Sequence, residues 1–145
     1  MKSDLPFFRT RIDLGMKIIP VVFFLGMLIP AFYNAFKNNW SDCFIFLTVL
    51  VLQQLLFLGV FRSTHYTFEP ETLLCRSLIF KRRIPYASIR KIEQHTSLYA
   101  GLKMSASFRG IIIHYNTYDE LFISPEESDR FIALLKERNP GIVVI

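Results

Sequence analysis

The residues best placed to do chemistry are cationic. The run KRRIPYASIRKIE, residues 81–93, carries five basic side chains, Lys81, Arg82, Arg83, Arg90 and Lys91, against one acid. Such a strip suits an anionic lipid surface, where each cation near the headgroups contributes about 1 kcal/mol, and it suits an acidic partner surface equally well. It also has the composition of a strand's solvent face. In RRIPYASI, Ile84, Tyr86 and Ile89 would point inward while Arg83 and Pro85 point outward or sit at an edge.

Other candidate chemistry is thinner. His65, His95 and His114 have no carboxylate or cysteine at metal-ligand spacing. Cys43 and Cys75 belong to no CxxC pair, and the chain carries no GxSxG elbow, glycine-rich phosphate loop or HExxH. Neither an enzyme nor a cofactor, metal or small-molecule substrate is expected. HTSLYAGLKMSAS, residues 95–107, has the least core pattern, and Tyr99, Leu102 and Met104 in it are candidates for an adaptable partner surface.

The elements that position these residues begin in a membrane. A 145-residue chain with 52% hydrophobic residues is too apolar for one soluble core. LGMKIIPVVFFLGMLIPAFYNAF (14–36) and CFIFLTVLVLQQLLFLGVF (43–61) are each long enough to cross a hydrocarbon layer of roughly 30 Å. KNNWSD between them makes a polar connection, with Trp40 where an interfacial aromatic belongs. A cleavable signal peptide has a shorter apolar region and no second span at once behind it.

Of the 17 basic residues, Lys2, Arg9, Arg11 and Lys17 precede or open the first span, Lys37 lies in the connection, and 12 follow the second span. The positive-inside bias places both termini in the cytoplasm of a bacterial inner (cytoplasmic) membrane, as a multi-pass protein. That arrangement absorbs most of the +5 formal charge without a nucleic-acid partner. It also puts Cys43 outside and Cys75 in a reducing cytosol, so the two do not pair. The expected organisation is an N-terminal segment (1–13), a two-helix hairpin (14–61) and a cytoplasmic domain (62–145).

Within the hairpin, Pro20 and Pro30 free the carbonyls of Met16 and Gly26, and Gln53 and Gln54 bring polar amides to mid-span. With Phe36 and Cys43 at equal depth, Gln53 falls level with Gly26. A glutamine amide is therefore expected to reach the Gly26 carbonyl region and lock the pair. In the alternative, Gln53 and Gln54 line a polar path in a small oligomeric pore or transport accessory.

Behind the hairpin the period changes to short β-rich runs, THYTF, TLLCRSLIF, RRIPY, ASFRGIIIHY and ELFIS, with turn signals at EPE and NTYD. SPEESDRFIALLKERNPG then announces a helix, with Ser124 as N-cap, Pro125 in the first turn, Glu127 completing a capping box, and Phe131, Leu134 and Leu135 as its docking stripe. The fold class is α+β: a helical hairpin followed by a small antiparallel β-barrel or sandwich capped by a C-terminal amphipathic helix, the outline of a pleckstrin-homology-like domain.

RRIPYASIRKIE, SASFRGIIIHY and LFISPEESDRFIALLKERNPGI resemble the bacterial PH domain of the YyaB-like type, over roughly residues 61–143. The resemblance implies a PH-like fold tethered behind two transmembrane helices. Lipid-binding eukaryotic PH domains gather basic residues at the first hairpin turn, whereas the equivalent turn here, FEPETL, holds two acids. A phosphoinositide-type pocket is not expected. The expected role is a membrane-anchored binding or scaffolding module that meets membrane lipids, a protein partner or further copies of itself.

Overall fold

The computed structural model describes residues 5–97 and 101–145. Two apolar helices, α1 (Leu14–Phe36) and α2 (Trp40–Ser63), pack against each other, both long and apolar enough to cross a membrane. Pro20 and Pro30 lie inside α1 without ending it. The connector is shorter than the sequence suggests, because Trp40–Asp42 form the first turn of α2. Asn38 makes the reversal at φ 55°, a left-handed conformation in which asparagine is enriched.

This shorter connector corrects the expected glutamine contact. Starting α2 three residues early slides it along α1, so that Gln54 comes level with Pro20 and donates through Nε2 to the Pro20 carbonyl at 2.9 Å. Gly26 is not the meeting point, and a Cβ there would touch nothing within 4 Å. Gln53 Nε2 is buried with no hydrogen-bond partner among the described residues. Interhelical bonds of the Gln54 kind contribute about 0.6–1.7 kcal/mol in membranes.

The domain is a sandwich of two sheets. β1 (Phe7–Arg9), β2 (His65–Phe68), β3 (Thr72–Ser77) and β4 (Phe80–Pro85) form one antiparallel ladder in that order. β5 (Ile89–Ser97), β6 (Arg109–Tyr115), β7 (Asp119–Ile123) and β8 (Val143–Val144) form the other, ordered β7-β6-β5-β8, with β8 parallel to β5. Among the described residues the ladders stay separate, so the barrel is not closed. The helix α3 (Ser128–Arg138) covers the core with Phe131 and Leu135 fully buried and Leu134 partly so. Phe131 meets Phe8, Tyr66 and Phe68 edge-on at centroid distances of 5.3, 5.9 and 5.0 Å. Such pairs add about 0.5–1.5 kcal/mol each beyond their buried area.

Residues 7–12, within the N-terminal segment ahead of α1, join the sheets of this domain. Phe8 pairs with Tyr66 in the first sheet, after which Thr10 bridges to Pro125 and Ile12 to Ala106. Residues 7–12 therefore stitch the two sheets together at one corner. Tyr66 Oη, fully buried there, donates to the Met104 carbonyl at 2.6 Å and accepts from the Ser124 N–H at 3.1 Å. Thr10 Oγ1 lies 2.9 Å from Ser124 Oγ and accepts from the Ala106 N–H at 3.1 Å. This network overrides the capping box: Ser124 is held as the end of the sheet, and α3 starts at Ser128, whose hydroxyl bonds the Pro125 carbonyl.

Two clamps hold the sandwich to the helix ends. At the start of α1, Asp13 Oδ2 takes hydrogen bonds from Ser107 Oγ and from the N–H groups of Phe108 (3.1 Å) and Arg109 (3.3 Å), while Arg11 pairs with Oδ1 at 3.2 Å. The Phe108 ring covers Gly15 so closely that a Cβ there would sit 3.1 Å from it. At the end of α2, Ser63 Oγ accepts from the Leu78 N–H at 2.7 Å and Thr64 Oγ1 lies 2.8 Å from Ser77 Oγ.

Two outcomes are expected. Tyr66→Phe leaves the Ser124 N–H and the Met104 carbonyl unsatisfied, which should lower the stability of the detergent-solubilised chain by about 1–3 kcal/mol in urea unfolding; a loss under about 0.5 kcal/mol would contradict the network. For Asp13, partial burial pushes the carboxyl pKa up, but the bonds from Ser107, Arg109 and Phe108 and the charge of Arg11 outweigh it and hold the pKa below the usual 3.8. A depressed carboxylate stabilises above its unfolded pKa and loses that contribution as pH falls through the folded value. The stability gap between wild type and Asp13→Asn should thus be full at neutral pH and close in acid below 3.8. A gap independent of pH in the same unfolding experiment would mean that the charge on Asp13 does not stabilise the clamp.

Candidate functional site

The basic strip is divided by the fold. Lys81, Arg82 and Arg83 lie exposed on β4, the outer strand of the first sheet. The chain then turns through a short 3-10 segment, Tyr86–Ser88, so Arg90 and Lys91 fall on β5 in the second sheet. Ile84, Tyr86 and Ile89 point into the core and Arg83 and Pro85 face out, as the alternation requires. Arg82 shares the strand face of Ile84 and opposes the buried Cys75, yet it is exposed.

Three of the five cations have local partners. Arg83 Nε bonds Glu69 at 3.1 Å, Lys91 Nζ meets Glu93 at 2.6 Å, and Arg90 donates to the Thr117 carbonyl. The hydrogen bond from Thr72 holds the Glu69 carboxyl pKa below its ordinary value against a small burial penalty, with Arg83 and the charge of Lys81 helping. Lys91 does the same for Glu93. Among the described residues Lys81 and Arg82 form no salt bridge. They sit toward the α2 end of β4, with Lys81 directly opposite Arg76 on β3. The part of the strip free to meet an outside anion is therefore its first two residues, joined by Arg76.

The partner loop also changes in meaning. Met104 is a core residue, buried and fixed through both backbone groups, its N–H to the Phe122 carbonyl and its carbonyl to Tyr66 Oη. It offers no partner surface. Leu102 is exposed and Tyr99 lies outside the described residues. Lys103 lies with its ammonium 5.0 and 5.1 Å from the centres of the Phe108 and Phe122 rings, and burial lowers its pKa.

Sequence spacing missed one cluster. His114 on β6 lies between Glu93 on β5 (3.1 Å) and Glu120 on β7 (3.2 Å). Only the sheet register brings these residues together, since His114 pairs with Lys91 on one side and Glu120 on the other. His65 is tied to the Ser63 carbonyl at 2.7 Å, and among the described residues no group of three metal-ligating side chains is arranged to hold a metal ion. Cys75 is fully buried and its thiol pKa is pushed up by that burial, which makes it a poor nucleophile.

A cleft of about 800 Å³ opens between the β5–β6 end and the start of α3. Arg11, Arg109 and Arg130 line it against Glu126, Glu127 and Asp129, and the Arg130–Glu127 and Arg11–Asp13 pairs use up two of its cations. The arginines and acids of this lining are equal in number. At the first hairpin turn Glu69 is held by Thr72 and Arg83.

Residues 64–139 match the family model described as bacterial PH domain. Over 140 residues the chain is 30% identical to the uncharacterized protein YyaB of Bacillus subtilis (strain 168), covering 94% of this chain and 95% of that protein. No solved structure matches. The two-sheet sandwich, its C-terminal helix and these likenesses agree: the chain belongs to the bacterial PH domain family.

Proposed function

We propose that this chain is a membrane-anchored, non-catalytic PH-like binding module of the bacterial cytoplasmic membrane, with both termini and the sandwich in the cytoplasm. The observation that carries this reading is the pairing of Phe8 with Tyr66 across two apolar helices. A strand before the hairpin and a strand after it share one ladder, so two spans return the chain to the side it left. The outer faces of α1 and α2 expose large apolar side chains such as Val22, Phe32, Leu52 and Leu55, which suits lipid contact. The excess of basic residues on the domain side supports the inward orientation.

The module's target in this reading is the anionic leaflet beside it, with a protein partner as the competing target. Arg76, Lys81 and Arg82 favour the leaflet, because among the described residues they form no salt bridge and they lie on the hairpin that touches the end of α2. The Gln54 contact to Pro20 favours a packing role for that amide over a pore lining.

Thiol labelling in intact cells tests the topology. In a Cys43→Ser background, Asn38→Cys in the connector should react with a membrane-impermeant maleimide from outside, while Tyr118→Cys, 93% exposed on the domain, should react only after lysis. Labelling of the Tyr118 site from outside would reverse the orientation. Extraction of the whole chain from membranes by alkaline carbonate would refute the anchor itself.

A further inference from the structure

The turn between β3 and β4 is built against the rules for a turn in water. Two-residue hairpin turns place glycine, asparagine or aspartate where φ is positive. Here the turn residues are Leu78 and Ile79, and Leu78 stands at φ 50°. Among the described residues the other positive-φ positions are two asparagines and a histidine, types that tolerate that region. A leucine held there is strained, and the two residues after it are the least protected apolar side chains of the sandwich's first sheet: Ile79 is 89% exposed and Phe80 61%.

The position of the turn explains that choice. Leu78 Cδ2 lies only 2.9 Å from where a Cβ on Gly59 would be, and Gly59 is a full turn inside α2 from its end at Ser63. The Leu78 N–H is fixed to Ser63 Oγ at 2.7 Å. The turn is thus fastened alongside the apolar helix, with Ile79 and Phe80 exposed next to that contact.

Cations surround it. Arg62 lies in the last turn of α2, and Arg76 and Lys81 face each other directly across the hairpin, with Arg82 next in line. Like charges directly opposite in a ladder repel, and among the described residues no acid forms a salt bridge with either. An apolar tip ringed by unpaired cations complements a layer of anionic headgroups over hydrocarbon.

We infer that the Leu78–Phe80 turn is a membrane-inserting wedge, which seats Ile79 and Phe80 in the leaflet on the domain's side beside α2 while Arg62, Arg76, Lys81 and Arg82 engage anionic headgroups. The inference rests on the membrane-anchored reading, and adds to it a fixed depth and tilt for the sandwich. The turn after β6 is at the far end of a seven-residue strand that starts at Arg109 beside α1, roughly 20 Å away, so Tyr118 stays in water.

The test uses the full chain in lipid nanodiscs, with an environment-sensitive fluorophore on Ile79→Cys, Val51→Cys in α2, or Tyr118→Cys, each with Cys43→Ser. Quenching by spin-labelled lipid is compared with quenching by aqueous iodide. The Val51 and Ile79 probes should be quenched by lipid and resist iodide several-fold better than the Tyr118 probe. Val51 in lipid with Ile79 open to iodide would overturn the wedge and leave the anchor standing; Val51 open to iodide would overturn both. In discs containing phosphatidylglycerol, the Arg76→Glu, Lys81→Glu pair should raise iodide access to the Ile79 probe several-fold, with a smaller change in phosphatidylcholine alone. Equal effects in the two lipids would remove the headgroup part of the inference.

Discussion

The pairing of β1 with β2 is the constraint on which the rest of the architecture depends. A three-residue strand ahead of the first helix would be negligible in isolation, yet it completes a sheet, crosses to the second sheet through Thr10 and Ile12, and delivers the chain to α1 at Asp13. The same sheet receives the chain back from α2 at Thr64. Both helix ends are therefore bonded to one sandwich. Asp13 fastens one helix to the sandwich, and Ser63 and Thr64 fasten the other.

The outline was legible from composition and period. Two apolar stretches of the right length became α1 and α2, and the alternation in RRIPYASI correctly turned Ile84, Tyr86 and Ile89 inward. The stripe of Phe131, Leu134 and Leu135 faced the sheets as its spacing required. Local signals failed where a distant partner outbid them. Ser124 has every local feature of a helix cap, but Thr10 and Tyr66, far away in sequence, take its polar groups first. FFR at residues 7–9 is too short to announce a strand, and only the waiting edge of β2 makes it one.

The candidate site was legible as composition and illegible as geometry. The strip at residues 81–93 reads as one cluster, but the corner at Tyr86–Ser88 assigns its halves to different sheets, and Glu69, Glu93 and Thr117 occupy three of its cations. What remains joins Arg76 and Arg62, residues outside the strip that only the strand register and the end of α2 bring near. Met104 was misread for a related reason. Its neighbours are polar and small, but the aromatic wall of Tyr66 and the β7 edge draw it into the core. His114 illustrates the converse, a group whose acidic neighbours come from strands on either side.

The tight hairpin of α1 and α2 also changes what folding must accomplish. In water, bringing β1 to β2 across the intervening residues would cost about 3–4 kcal/mol of loop-closure entropy. With a three-residue connector and helices packed side by side, the two strand ends emerge within roughly 10 Å of each other before any sheet exists. The hairpin then works as a cross-link does, raising the effective concentration of one strand at the other. β1 precedes its partner by the whole length of the hairpin, and the packing of the two helices is what returns β2 to its side.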